Sequence, residues 1–239
     1  MPEGAVAGKI YLIPSGLGAN SPQYFTEQTR QLIFTIEFFI AENVRSARRF
    51  LRSMGYLKSF DEVEMVAVED NKNFIPSEKM LQHLKEGRSI GVLSEAGCPG
   101  IADPGSAVVR FGHRNQITIV PLIGPSSIFL ALMASGLNGQ QFAFHGYLPV
   151  GSADRKKKLR HLEEESLQKK QTQIFMETPY RNNALLIDTL DVLRNSTFLC
   201  IASNITLPDE SIFTQTVLKW KKNVAGLKKQ PTIFLMLAE

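Results

Sequence analysis

Three stretches of the chain combine glycine, proline and serine behind short apolar runs: Pro14-Ser15-Gly16-Leu17-Gly18, Ser94 to Gly105, and Gly124-Pro125-Ser126-Ser127. Glycine lets a ligand approach the backbone closely, and proline holds a loop in one shape. One such stretch is usually a turn. Three of them at the carboxyl edge of a single sheet, where open parallel sheets bind ligands, point to a molecule with many polar groups. Two further spacings bring opposite charges together: Glu42 with Arg45 in AENVR, and Glu177 with Arg181 in METPYR. Each pair could hold an acceptor molecule at a cleft edge; the alternative is a structural ion pair.

Familiar signatures do not account for the three loops. The first is not GxGxxG, and the chain has no GxxxxGK[ST], HExxH or GxSxG, which removes the usual support for dehydrogenase, kinase, zinc-hydrolase and serine-hydrolase readings. Cys98 and Cys200 lie far apart, and His83, His113, His145 and His161 are scattered, so neither a disulfide framework nor a metal site is expected. In 239 residues, 44% hydrophobic and 21% charged residues describe an ordinary globular chain. No secretory signal is expected in MPEGAVAGK, and no apolar stretch approaches the roughly 20 residues of a membrane span. A cytoplasmic location is therefore expected. The net charge of +4 permits nucleic-acid binding without establishing it. Arg155, Lys156, Lys157, Lys158 and Arg160 form one basic cluster, and Lys219, Lys221, Lys222, Lys228 and Lys229 another around Trp220. A solvated helix face is the alternative for either.

The elements that must position these residues alternate. Buried strands are expected at 10–14, 38–42, 64–68, 90–94 and 117–121, with helices over 22–35, 44–54, 76–87, from Ser106, and up to Gly136. That order predicts a mostly parallel sheet covered on both faces. The second half offers strands at 142–147, 174–177, 197–202, 211–215 and 232–238, the last two antiparallel, with a helix over 180–193. Two α/β domains follow, 1–138 with a mostly parallel sheet and 139–239 with a mixed one.

The stretches GKIYLIPSGLG, AENVRSARRFL, VLSEAGCPGIADPGSAVVR, VPLIGPSSIFLALMASGL, FAFHGYLP, FMETPYRNNALL and PTIFLMLAE resemble, in order and spacing, the tetrapyrrole methylase superfamily. Its small-subunit rRNA cytidine 2′-O-methyltransferase branch is the most similar. SEAGCPGIADPG is the most specific part. The resemblance implies an S-adenosylmethionine-dependent methyltransferase, with the cofactor folded in a cleft between the domains. It places cofactor contacts at Pro14, Leu17, Gly97, Cys98, Ile101, Ser126, Ser127, Ile128 and Thr232; for Pro14, Pro125 and Gly97 the alternative is that they only shape turns. It further implies rRNA or the small ribosomal subunit as partner, and a homodimer. Glu42, Arg45, Glu177 and Arg181 are the acceptor-side candidates, and no general base is assigned.

Departures from the branch pattern fall mostly on that acceptor side. AEDTR becomes Ala41-Glu42-Asn43-Val44-Arg45, and SDAGTP becomes Ser94-Glu95-Ala96-Gly97-Cys98-Pro99. RELT becomes Ser203-Asn204-Ile205-Thr206, and the basic-Gly-Glu before the last strand becomes Lys229-Gln230-Pro231. Methyl transfer is thus better supported than any one acceptor. Methylation of a small tetrapyrrole-type ring, or a non-catalytic paralogue that binds cofactor or RNA, are the alternatives.

Overall fold

The computed structural model describes residues 8–18, 22–68, 74–223 and 226–239. The segment 1–7, part of the stretch read for a signal, and residues 19–21 of the first loop lie outside the described residues. The chain divides into two compact units, Met1–Ser126 and Ser127–Glu239.

The first unit is a five-stranded parallel sheet in the order β3-β2-β4-β1-β5: β1 (Ile10–Ile13), β2 (Phe38–Ala41), β3 (Glu64–Ala67), β4 (Ile90–Leu93) and β5 (Ile119–Pro121). Its apolar runs show no alternation because both faces are covered. Ile13, Phe39, Ala41 and Leu93 face Ile33 of α1 (Glu27–Thr35) and Leu51 of α2 (Val44–Ser53). Ile10, Phe38, Ile40, Ile90 and Val92 face Met80 and Leu84 of α3 (Glu78–Lys85) and Val108 of α4 (Ser106–Arg114). Gly91 sits where a Cβ would lie 2.6 Å from Ile13 Cδ1 and 2.9 Å from Phe39 Cδ1, so the central strand has no room there for a side chain. The helix starts follow capping chemistry: Thr26, Asn43 and Ser77 accept from Thr29, Ser46 and Met80 N–H groups. Thr26 also explains why the first helix begins later than expected. Residues Pro22–Tyr24 form a separate 3₁₀ turn before that cap.

The second unit is a five-stranded mixed sheet in the order β6-β7-β10-β8-β9. It comprises β6 (Phe142–Tyr147), β7 (Thr172–Glu177), β8 (Phe198–Ser203), β9 (Ser211–Thr216) and β10 (Thr232–Leu237). Only β6 and β7 run parallel; β10 is antiparallel to β7 and β8, and β9 is antiparallel to β8. One face buries Phe175, Leu199, Ile201, Phe234 and Met236 against α6 (Ser152–Lys169) and α7 (Asn182–Val192), through Leu159, Leu162, Leu185, Leu186 and Leu190. Helix α5 (Ser127–Ser135) packs on β8, β9 and β10, and Thr214 Oγ1 donates to Ser135 O at its end. The short α8 (Val217–Lys222) docks through Trp220, whose Nε1 donates to Leu199 O.

The basic cluster at 155–160 splits. Arg155 is buried, donates to both Asp188 and Val150 O, and belongs to the core ion-pair network. Lys156 pairs with Asp191 at 2.8 Å, which leaves Lys157 and Arg160 as the exposed cations of the group. No helix of the described residues is long and apolar enough to cross a membrane.

Candidate functional site

In the first unit the connections leaving β1 and β4 set off in opposite directions along the sheet, since β1 leads to β2 and β4 leads to β5 on the other side of it. A crevice opens at such a switch. The structure knits the loops around it. Ser15 N donates to Gly97 O (2.8 Å) and Gly97 N to Ser15 O (3.1 Å), a single bridge between the first and central loops. Buried Ser15 Oγ donates to Ser94 O (2.8 Å), and Ser94 Oγ donates to Gly97 O (3.2 Å). Gly97 adopts φ +74°, the left-handed region that favours glycine. The third loop joins through Pro125, whose carbonyl accepts from the Cys98 thiol at 3.7 Å, and through Gly124, where a Cβ would lie 2.5 Å from Pro14 Cβ.

Three of the sequence candidates, Pro14, Gly97 and Cys98, are therefore drawn together by direct contacts among the three loops. Leu17 comes beside Gly97, its Cδ2 3.6 Å from where a Cβ would stand, and Ile101, 43% exposed, is tied by its N–H to Cys98 O. Ser126 follows Pro125 directly and is half-buried. Ser127 and Ile128 open α5 and Thr232 opens β10, all in the second unit.

Beside the central loop stands a group of carboxylates. Glu42 Oε2 accepts from Glu95 N (3.2 Å), and Glu95 Oε1 accepts from Ser46 Oγ (2.9 Å). Asp103 is pushed up to about 6 by burial, with Glu42 and Glu95 adding repulsion. Burial and the charge of Asp103 also raise the Cys98 thiol, which stays protonated and able to donate. Glu42 makes no ion pair with Arg45 among the described residues; Arg45 is exposed on the first turn of α2, and Asn43 is its N-cap. Asparagine caps as well as aspartate, so that departure from the branch pattern leaves the helix start intact. Sequence reasoning gave Ser15, Gly124 and Asp103 no site role of their own. All three lie inside stretches already marked, but their neighbours come from other loops.

In the second unit the polar residues gather where β7 and β8 end and β10 begins. Thr232 is in register with Glu177 on one side and Ser203 on the other, and its hydroxyl lies 2.9 Å from Ser203 Oγ. Glu177 and Arg181 do pair, Nη2 to Oε1 at 2.7 Å, and the same oxygen accepts from Thr178 N. Buried Glu177 Oε2, Arg181 Nε and Asn182 Oδ1 have no partner among the described residues. The departures at Asn204 and Gln230 turn out to be neighbours: Asn204 Nδ2 donates to Gln230 Oε1 (3.2 Å) and to Asp209 (2.7 Å). The amide of Asn204, which stands where the branch has a glutamate, thus bonds to the amide of Gln230, which stands where it has a glycine.

A parallel sheet with loops bonded together at its switch point and a mixed sheet with a polar edge make this a two-unit α/β protein. The model of the tetrapyrrole (corrin/porphyrin) methylases matches residues 9–219, and the chain belongs to that family. It is a methyltransferase of the S-adenosylmethionine-dependent kind. It is 29% identical over 232 residues to the Ribosomal RNA small subunit methyltransferase I of Escherichia coli O157:H7, covering 96% of this chain and 77% of that protein. To the protein of the same name from Haemophilus influenzae it is 30% identical over 212 residues, covering 89% and 71%. Among solved structures the fold matches the methyltransferase CobJ with TM-score 0.61 at 16% identity (97% and 94% covered). It also matches uroporphyrin-III-C-methyltransferase from Thermus thermophilus with TM-score 0.55 at 19% identity (97% and 92% covered).

Proposed function

We propose that this chain transfers the methyl group of S-adenosylmethionine to a ribose 2′-hydroxyl of small-subunit rRNA. The observation that carries the proposal is the 29% identity, along 96% of the chain, to a relative named for ribosomal RNA small-subunit methylation. When bound, the donor supplies an activated methyl on a sulfonium, so the protein needs to bind, orient and exclude water.

The loops of the first unit fit such a donor. Leu17 and Ile101 offer partly exposed apolar surface, the left-handed Gly97 brings bare backbone close, and Pro14 with Gly124 locks two loops together. Glu42, Glu95 and Asp103 supply negative charge suited to a molecule carrying a sulfonium and an ammonium. Ser126, Ser127, Ile128 and Thr232 complete the proposed donor contacts. Glu177 and Arg181 form the better-built of the two acceptor candidates, because they pair and yet Glu177 Oε2 and Arg181 Nε have no partner among the described residues; Glu42 and Arg45 are the second. We also propose a homodimer working in the cytoplasm, with exposed lysines such as Lys219, Lys221 and Lys222 meeting phosphates.

Deleting the gene and mapping rRNA methylation by mass spectrometry tests the acceptor. A missing 2′-O-methyl group in the small subunit, restored by the intact gene, is expected; an unchanged map sinks the assignment. RNA affinity should fall as salt rises, since lysine–phosphate contacts release counterions.

A further inference from the structure

The edge of the second unit where β7 ends holds an exposed group with no role in the fold. After Glu177 the chain turns through Thr178 and Pro179 and presents Tyr180, 79% exposed, before α7 begins. Core packing does not explain so large an exposed ring. Lys229, just before β10, brings its ammonium to 5.3 Å from the centre of that ring, so a cation and a free aromatic face share one spot. Next to it in sequence stand three buried atoms without partners among the described residues: Glu177 Oε2 and Asn182 Oδ1 lack donors, and Arg181 Nε lacks an acceptor. Buried polar groups without partners are rare and call for an explanation, of which a bonding partner from outside the chain is one.

We propose that this corner reads one unpaired base of the RNA: the base stacks on Tyr180, the adjoining phosphate meets Lys229, and the base edge bonds to Glu177 and its neighbours. The inference rests on the rRNA reading above and adds the residues that recognise the strand. Unpaired bases are bound by proteins through stacking on aromatic rings combined with edge hydrogen bonds. The unmet valences dictate the edge. Two acceptors call for an exocyclic amino group, and one donor calls for a neighbouring ring nitrogen or carbonyl; adenine, cytosine and guanine present both, and uracil has no amino group. Arg181, whose side chain is 39% exposed and held to Glu177 through Nη2, stands at the solvent side of this corner.

Fluorescence anisotropy with short labelled oligoadenylate, oligocytidylate and oligouridylate tests the proposal on the full chain. Tyr180→Ala should weaken binding about tenfold or more, while Tyr180→Phe, which keeps the ring, should stay within about twofold. Lys229→Met should weaken all three RNAs and flatten the salt dependence by about 0.7 in slope. Glu177→Gln should erase a preference for the amino-bearing strands over oligouridylate, a readout that a merely structural role would not move. S-adenosylmethionine affinity and circular dichroism should be those of the unaltered chain in the Tyr180 variants. Unchanged RNA affinity in Tyr180→Ala, or equal weakening of all three strands by Glu177→Gln, overturns this corner while leaving rRNA methylation standing. Failure of the unaltered chain to bind any RNA overturns both.

Discussion

Replacing Gly124 by alanine tests whether the third loop is seated on the first. The added Cβ would stand 2.5 Å from Pro14 Cβ, 2.8 Å from Pro14 Cγ and 3.2 Å from Phe25 Cε1. Carbon atoms rest about 3.5–4.0 Å apart, so the loops must separate by about 1 Å. Pro14 cannot turn away, because its ring is part of the backbone and the next residue, Ser15, is tied to both Gly97 and Ser94. Overpacking of this kind costs about 1–3 kcal/mol. A shift of about 1 Å in groups that hold a ligand should also weaken S-adenosylmethionine about tenfold or more. Gly97→Ala is the contrasting variant. Its φ of +74° makes alanine strained by about 1 kcal/mol, yet the nearest atom to the new Cβ is Leu17 Cδ2 at an ordinary 3.6 Å. Urea unfolding and titration calorimetry measure both effects. If Gly124→Ala keeps the stability within about 0.5 kcal/mol and the donor affinity unchanged, the loop-on-loop seating does not hold the site together.

Other perturbations reach different parts of the chain. Arg155→Met should cost about 3 kcal/mol in urea unfolding, because buried Asp188 keeps only Ser152 Oγ and Lys156 Nζ, 3.5 Å away, as partners, and Asp188→Leu on top of it should restore part of the loss. Folding raises the Asp103 carboxyl from an ordinary 3.8 to about 6, so the folded chain binds that proton more tightly. Its contribution to stability is fully present below pH 3.8 and is lost as pH rises through about 6, worth about 1 kcal/mol after solvent screening. Carboxyl-carbon NMR of Asp103 should show that midpoint, and Glu95→Gln should lower it by removing a like charge; a midpoint near 4 in the unaltered chain refutes the desolvation argument. Ser127→Trp should abolish S-adenosylmethionine binding in calorimetry, and an intact affinity would remove Ser127 from the proposed contacts.

The alternation of apolar runs with capped, amphipathic stretches carried the parallel sheet, because a strand buried on both faces needs continuous apolar residues whatever surrounds it. Ser77 marks a helix start for an equally local reason, a side chain bonding an N–H three residues on; Thr26 does the same for α1, although the spacing alone starts that helix at Pro22. The loop motifs were legible too, since glycine and proline act on their own backbone. The long α6 does not stand out in the sequence, for its buried positions Leu159, Leu162 and Ser166 are interleaved with lysines and glutamates, and one of its arginines is the buried Arg155. The sequence spacing of Glu42–Arg45 looks like that of Glu177–Arg181, yet only the second pair forms, because Glu42 bonds to a backbone N–H that another strand brings. What short-range chemistry governs could be read along the chain: strands, caps, turn residues and the motif loops. Which loops touch, which charges are buried, and which polar atoms stay without partners depended on residues far apart in sequence, and only the packing of sheets and helices decided them.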